Sequence, residues 1–140
     1  MNRDIKLRVW SEKNKKMLEI QKHSFKTGLS MPYGSNMERY FGNLMRYTGL
    51  KDKNGKDIYE GDIVSFYNDE EYKFKSTNAL VIYDSAAFML EHKKLGKEYL
   101  GEMDIENMCI KIIGNIYENP ELLEGDEQWD WEKMILFIIK

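Results

Sequence analysis

The sequence predicts a mainly β fold with one or two short helices, built as a small barrel or as a pair of packed sheets. The first observation behind this prediction is that short runs of alternating or apolar residues recur at close spacing, with turn residues between them. The second is that few helical segments are long enough to cross between parallel strands. Because there is no repeat of fixed period and no low-complexity linker, residues 1–140 are expected to form a single domain.

The amino-terminal part is expected to open with a hairpin. Residues 5–10 alternate apolar and basic side chains, which predicts a half-buried strand, and residues 17–20 resume as a second strand after a polar turn. Residues 23–35 contain two glycines and a proline, which predicts a loop. The next segment is either a short helix capped by Asn36 or a strand that begins at Leu44, and the strand is favoured.

Residues 47–64 give the clearest local pattern, because Asn54 and Gly55 lie between polar flanks that lead into apolar residues on both sides. An Asn-Gly pair supplies the positive φ angles of a type I′ turn, so this stretch is predicted to be a hairpin tip. The carboxylates around the tip do not have the spacing of a calcium-binding loop. Counting from Asp52 places Ile63 at the twelfth position, where an EF-hand needs glutamate, so turn chemistry is predicted and no metal site.

The rest of the chain is predicted to be antiparallel sheet followed by a short helix. Turn residues bound each of the predicted strands, which are 63–67, 80–83, 87–91, 99–100 and 109–113. Asn119 is a helix cap with Pro120 at the first helical position, which predicts one or two helical turns. Residues 134–139 are all apolar and fit either a helix or a strand, and their β-branched and aromatic side chains favour a strand.

Charge is distributed unevenly along the chain, whose net charge is −3. Residues 1–60 hold 13 Lys/Arg against 7 Asp/Glu, a net +6, and residues 61–140 hold 8 against 17, a net −9. Three interpretations follow: a nucleic-acid surface on the basic half, head-to-tail attraction between copies, or partial charge pairing within one chain. The third is favoured as the simplest.

The sequence also indicates a compartment. The apolar run 134–139 is too short to cross a bilayer, and the amino terminus lacks the charged-then-apolar design of a signal peptide. The single cysteine, Cys109, cannot form an internal disulfide. A reducing cytoplasm is therefore expected.

No catalytic residue, cofactor site or metal site is predicted from the sequence. It contains no Gly-rich phosphate loop, no paired metal-binding cysteines and no His-Glu-x-x-His run. His23 and His92 lie far apart, lack a partner pattern and are predicted to be surface or turn residues. Cys109 lies among apolar neighbours, which predicts an inert buried thiol. We therefore expect a protein that is not an enzyme.

Two groups of residues are candidates for contacts with other molecules. The first, at the hairpin tip and its flanks, has cations for phosphates and tyrosines for bases; it comprises Arg46, Lys51, Lys53, Lys56 and Tyr59. Ordinary solvated lysines and core aromatics are the favoured interpretation of this group, because the acidic second half repels phosphate. In the second group Trp129 and Trp131 share a face if the tail is a strand and point to different sides if it is a helix. Packing in the core explains these tryptophans as well as an exposed interface anchor does. The residues expected to mediate self-association are Trp129, Trp131, Ile135, Phe137 and Ile139.

Three segments of the chain, in order, resemble the YopX family of phage and prophage proteins. They are residues 3–10 followed by 15–17, residues 44–64, and residues 113–123, whose sequence is Ile-Gly-Asn-Ile-Tyr-Glu-Asn-Pro-Glu-Leu-Leu. The resemblance implies a β-rich chain that contains an SH3-like barrel, an origin in a bacterium that carries the phage or prophage, and a homo-oligomer. It supplies no catalytic residues, and it does not reach residues 21–43 or the tail beyond Leu123.

The expected function combines the residue patterns with the resemblance. The chain is expected to be a non-catalytic, self-associating binding or structural module, in which residues 124–140 form a C-terminal extension that makes contacts between copies. The alternative is a small-barrel nucleic-acid-binding protein that acts in phage regulation or replication, with the basic hairpin tip as its contact surface.

Overall fold

The structure, a computed structural model, describes residues 6–40, 44–67, 76–92 and 96–123. With 54% strand and 7% helix it is mainly β, which confirms the predicted fold class. The strands in chain order are β1 Leu7–Ser11, β2 Lys16–His23, β3 Ser30–Pro32, β4 Met45–Lys51, β5 Asp57–Tyr59, β6 Asp62–Tyr67, β7 Ser76–Asp84, β8 Ala87–His92, β9 Gly96–Tyr99 and β10 Lys111–Asn115. Two short 3₁₀ helices, Leu100–Glu102 and Pro120–Leu123, are also formed by these residues. The predicted tail strand 134–139 lies outside the described residues.

The strands form two antiparallel sheets of five strands each, in the orders β3-β2-β1-β4-β5 and β10-β6-β7-β8-β9. In the second sheet, β6 to β9 follow one another as a meander, and β10 returns to pair with β6. The chain divides into two compact units, Met1–Gly49 and Leu50–Lys140, called the first and second unit below.

The first unit confirms the predicted amino-terminal hairpin, since β1 and β2 pair with Leu7 opposite Ile20. The strand favoured near residue 44 is also present, as β4. The loop predicted for residues 23–35 is wrong in part, because β3 lies inside it and pairs with β2. Its three residues are too few to show a period of two, and the flanking glycines conceal it.

The core of the second unit follows from strand alternation. Residues two apart on a strand share a face, and so do residues directly opposite one another on paired strands. Val64 lies opposite Ala79 and Val81 lies opposite Leu90, which places these four side chains on one face. The buried cluster on that face consists of Ile58, Val64, Phe66, Ala79, Val81, Leu90, Leu100 and Ile110.

The carboxylate of Asp52 joins the β4–β5 hairpin tip to β10. Its Oδ1 accepts hydrogen bonds from the backbone N–H groups of Asn54, at 2.8 Å, and Lys56, at 2.9 Å. Its Oδ2 accepts the backbone N–H of Ile112 at 2.9 Å. Asp52 is only 5% exposed, and burying a carboxylate is tolerable only where hydrogen bonds replace those from water. Three backbone donors satisfy it here.

The same carboxylate sets the turn type. Gly55 has a φ of +83°, but Asn54 is not among the residues with positive φ, so the type I′ prediction is wrong although the tip itself is where it was expected. Gly55 donates its N–H to the carbonyl of Asp52 at 3.0 Å, which fits a type I turn followed by a left-handed glycine. A type I turn followed by a left-handed glycine has one residue more than a type I′ turn. The Asp52 carboxylate favours this longer loop because it accepts hydrogen bonds from the N–H groups two and four residues ahead.

A second cluster of side-chain hydrogen bonds forms where β10 ends. The side-chain oxygen of Asn115 accepts the N–H groups of Tyr117 and Glu118, at 3.0 and 2.9 Å. Oδ1 of Asn119 accepts the N–H of Asn115 at 3.3 Å. The predicted helix then begins at Pro120 as a four-residue 3₁₀ helix. A Cβ added to Gly114 would lie 2.5 Å from Oδ1 of Asn119, so this position has room only for glycine.

We predict that Asp52→Asn lowers the free energy of unfolding by about 1–3 kcal/mol. Asparagine keeps one acceptor oxygen but turns an NH₂ group toward a backbone N–H that Asp52 now satisfies. Urea unfolding followed by circular dichroism measures the loss. Asp84→Asn is the control, because that side chain is 41% exposed and pairs with Lys97 at the surface. Equal midpoints for Asp52→Asn and wild type would contradict the prediction.

We also predict that Gly114→Ala destabilises the chain by about 1–3 kcal/mol, because the new methyl group displaces Asn119 from its bond to Asn115. The matched control is Gly101→Ala, whose Cβ would meet nothing within 4 Å. Its unfolding midpoint in urea should equal or slightly exceed that of wild type. If the two alanine variants unfold at the same urea concentration, the close approach at Gly114 has no energetic weight.

Candidate functional site

The β4–β5 hairpin tip, fixed by Asp52, presents three lysines. Nζ of Lys51 pairs with Oδ1 of Asp57 at 2.6 Å. Nζ of Lys53 donates to Sγ of Cys109 at 3.3 Å. Lys56 is exposed. Two of the three predicted contact lysines therefore already have partners within the second unit, and an incoming phosphate would compete with Asp57 for one of them.

The other two residues predicted for this group are placed differently. Arg46 is exposed on β4 and belongs to the first unit. Tyr59 is only 5% exposed, so its ring packs inside the protein and is not available to stack on a base. Cations are therefore what the tip offers to a partner. Sequence alone does not separate Tyr59 from an exposed aromatic, because Glu60, Gly61 and Asp62 follow it directly.

The two histidines occupy structural positions. Nδ1 of His23 lies 2.8 Å from Oγ of Ser30, which links β2 to β3. His92 is only 8% exposed, at the end of β8, so the expectation of a surface or turn residue is wrong for it. In the ranges that the structure describes, no group of three or more His, Cys, Asp or Glu side chains is placed to hold a metal ion.

Cys109 departs from the buried, inert thiol that its neighbours predict. It is of intermediate exposure and has a φ of +50°, in a turn that leads into β10. The backbone N–H of Lys53 donates to the carbonyl of Ile110 at 2.8 Å, and this bond brings the Lys53 side chain to the sulfur. The turn geometry, which apolar neighbours do not signal, leaves the thiol accessible.

The second sheet carries a groove of about 340 Å³. Its walls include Asn78 and Leu80 from β7 and Lys97 from β9, and Leu123 also lines it. Nδ2 of Asn78 donates to the carbonyl of Leu122 at 2.9 Å and thereby holds the last 3₁₀ helix beside β7. The last described residues of the chain therefore lie beside this groove.

Lys97 organises the charges beside the groove. Its Nζ lies 2.5 Å from Oδ2 of Asp84 and 3.8 Å from Oε2 of Glu91. The hydrogen bond and the charge of Lys97 hold the pKa of Asp84 below its ordinary value, and Asp84 raises the pKa of Lys97 in the same way. All three groups are surface-exposed, so this network orients Lys97 rather than storing much stability.

The two units have opposite net charge. Met1–Gly49 contains 10 Lys/Arg and 4 Asp/Glu, a net +6, whereas Leu50–Lys140 contains 11 and 20, a net −9. Residues 50–60, which include the hairpin tip, hold three lysines and three carboxylates and contribute nothing to the balance. The positive charge that the sequence assigns to residues 1–60 therefore lies entirely in the first unit. Within the described ranges, no helix is long and apolar enough to cross a membrane.

Comparison with known proteins identifies the family. The family model described as YopX protein matches residues 6–124, which includes residues 21–43, where the sequence resemblance was not expected to extend. A curated relative, the SPbeta prophage-derived uncharacterized protein YopX of Bacillus subtilis strain 168, is 34% identical over 73 residues. That match covers 51% of this chain and 53% of the relative, so the chain spans about half the length of the curated relative it matches.

Two solved structures are similar to this one. The crystal structure of protein EF1440 from Enterococcus faecalis is 28% identical with a TM-score of 0.59, over 88% of this chain and 100% of that chain. The crystal structure of protein yopX from Bacillus subtilis is 25% identical with a TM-score of 0.53, over 85% of this chain and 98% of that chain. Because the family model covers most of the described residues, from β1 to the last 3₁₀ helix, the chain belongs to the YopX family.

Proposed function

We propose that this protein is a non-catalytic accessory module of a phage or prophage that associates with copies of itself through its C-terminal segment. The observation that carries the proposal is that Leu123, the last residue the structure describes, lines the second-sheet groove. The residues that follow lead to the apolar run 134–139, and six consecutive apolar side chains need a surface to cover them. A second copy supplies such a surface, and residues 124–140 act as an extension of a single functional domain in the bacterial cytoplasm.

The polar residues of the family-like segments support a role without catalysis. Both oxygens of Asp52 accept backbone N–H groups, Oδ2 of Asp62 accepts the N–H of Tyr59 at 2.8 Å, and Asn115 caps the turn after β10. Side chains used in this way hold loops in place. A general base or a nucleophile needs an oriented partner and access to substrate.

We also infer that the second unit is the SH3-like barrel that the resemblance implies. The support is its connectivity: four strands in a meander, the 3₁₀ helix Leu100–Glu102, and a last strand β10 that returns to β6. This is the strand order of SH3-like barrels, and curling of the meander would bring its ends together.

Deletion of residues 129–140 is expected to reduce the mass of the assembly in solution, because it removes Trp129, Trp131 and the apolar run 134–139. Size-exclusion chromatography with light scattering measures the mass, and circular dichroism verifies that the sheets remain. An unchanged mass would refute the role of the tail.

Point substitutions refine this test within the full-length chain. In a strand, the predicted contact residues all share one face, so changing Ile135, Phe137 and Ile139 to Ser should dissociate the assembly. Changing Met134, Leu136 and Ile138 to Ser removes a similar apolar area from the opposite face and serves as the control. Dissociation by the control set alone would assign the contact to the other face.

Nucleic-acid binding at the hairpin tip is the second candidate function, and the exposed Lys56 on a tip fixed by Asp52 favours it. The triple variant Lys51→Ala, Lys53→Ala, Lys56→Ala should bind oligonucleotides more weakly and with a flatter salt dependence, since each phosphate contact releases counterions. Fluorescence anisotropy measures both. Lys111→Ala, an exposed lysine on β10, is the control. If wild type binds neither single-stranded nor double-stranded probes at low salt, this candidate fails.

A further inference from the structure

The hairpin that joins β2 to β3 presents an aromatic ring on a closed turn. Phe25 is 83% exposed, the largest exposure among the large hydrophobic side chains of the described residues. Backbone hydrogen bonds close the turn beneath it, from Ser24 N–H to the carbonyl of Leu29 at 2.9 Å and from Gly28 N–H to the carbonyl of Ser24 at 2.8 Å. Gly28 has a φ of +77°, which suits glycine. The ring is therefore held out by a defined backbone.

Side chains brace the same turn. Oγ of Ser24 accepts the N–H of Thr27 at 3.2 Å, and Oγ1 of Thr27 accepts the N–H of Leu29 at 3.3 Å. Nη2 of Arg39 donates to the carbonyl of Thr27 at 3.0 Å, from a segment 12 residues further along the chain. An anchor that is ordered before binding loses less conformational entropy when it binds. This turn meets that condition.

The base of the hairpin adds a second aromatic contact. The rings of His23 and Phe25 lie edge to face, with centroids 4.5 Å apart and planes at 82°. His23 is itself held by Oγ of Ser30 at 2.8 Å. His23 therefore supports one side of the Phe25 ring, most of which remains exposed to receive a flat partner.

The chemistry around Phe25 is cationic and polar. Lys22 and Lys26 are exposed on either side of it in sequence, and no Asp or Glu lies between Glu19 and Glu38. The unit that carries the hairpin has a net charge of +6. Tyr33, 66% exposed, follows β3 at the other end of the hairpin, where its N–H donates to the carbonyl of Glu19. The core of a protein interface is largely apolar, whereas the residues next to Phe25 in the sequence, Ser24, Lys26 and Thr27, are polar or charged.

We propose that the β2–β3 hairpin binds single-stranded nucleic acid. Phe25 stacks on one base, Lys22 and Lys26 meet the phosphates on either side, and Tyr33 provides a second stacking surface a few nucleotides away. Stacking is tolerant of sequence because every base has a flat face, so binding depends little on base identity. This site lies in the basic unit and shares no residue with the tail or with the Lys51 to Lys56 tip.

Fluorescence anisotropy with labelled oligo(dT) and oligo(U) of about 12 nucleotides, a length that fits a small single-strand site, tests the proposal on the full chain. Phe25→Ala should weaken binding by about tenfold, and Phe25→Trp should retain it, because loss of one stacked base typically changes affinity by that order. Replacing both Lys22 and Lys26 with Ala should reduce the salt dependence, which Phe25→Ala should leave nearly unchanged. The difference between the two probes shows whether DNA or RNA is preferred, and binding of either supports the proposal.

Matched controls separate stacking at this site from general effects. Tyr83 and Tyr99, 42% and 46% exposed in the acidic unit, should be replaceable by Ala without loss of affinity. Phe25 is mostly solvated, so Phe25→Ala should unfold in urea at the wild-type midpoint. The proposal is overturned if wild type binds neither probe at low salt, if a duplex of the same length binds more tightly, or if Phe25→Ala binds as wild type does. The mass of the assembly is recorded in parallel, because a loss of affinity at unchanged mass is independent of the tail.

Discussion

The second unit depends on the hydrogen bonds that the carboxylate of Asp52 accepts, because they join two distant parts of the chain. It accepts two N–H groups of its own hairpin and one from β10, 60 residues further along the chain. The backbone of Lys53 adds a bond to Ile110 on the same segment. A local turn is thereby joined to the last strand of the sheet, and that strand is the one that returns to β6. A neutral side chain at this position would not satisfy three donors at once, which explains why a buried acid is favourable here.

The position of this hairpin is predictable from the sequence because its turn residues are local signals. Its turn type is not, because that depends on hydrogen bonds to the side chain of Asp52. Two consecutive positive φ angles, as in a type I′ turn, instead occur at Ser85 and Ala86 in the β7–β8 hairpin. Neither residue favours that conformation. The pairing of β7 with β8, from Leu80 opposite Glu91 to Asp84 opposite Ala87, leaves two residues for the connection. Strand register overrides residue preference at this turn.

Burial of individual aromatic residues could not be predicted for a similar reason. Tyr59 and Phe25 are each followed directly by a charged residue, Glu60 and Lys26, yet Tyr59 is 5% exposed and Phe25 is 83% exposed. Tyr59 is on β5 within the buried part of its unit, whereas Phe25 falls on a turn whose length is set by the β2–β3 pairing. Only tertiary structure distinguishes the two. The distribution of charge, by contrast, can be read from the sequence, because the basic and acidic parts of the chain correspond to the first and second units.

The division of charge between the two units links the proposed self-association to the proposed binding of nucleic acid. The hairpin tip is neutral overall, and the net positive charge belongs to the first unit, which also carries the β2–β3 hairpin, so this unit is the one that attracts phosphate. A single aromatic ring with two lysines makes a weak site. An assembly of several copies would present several such hairpins, and linking weak sites raises the effective concentration of each after the first has bound. The two activities would then reinforce each other, with assembly supplying the affinity that one hairpin lacks.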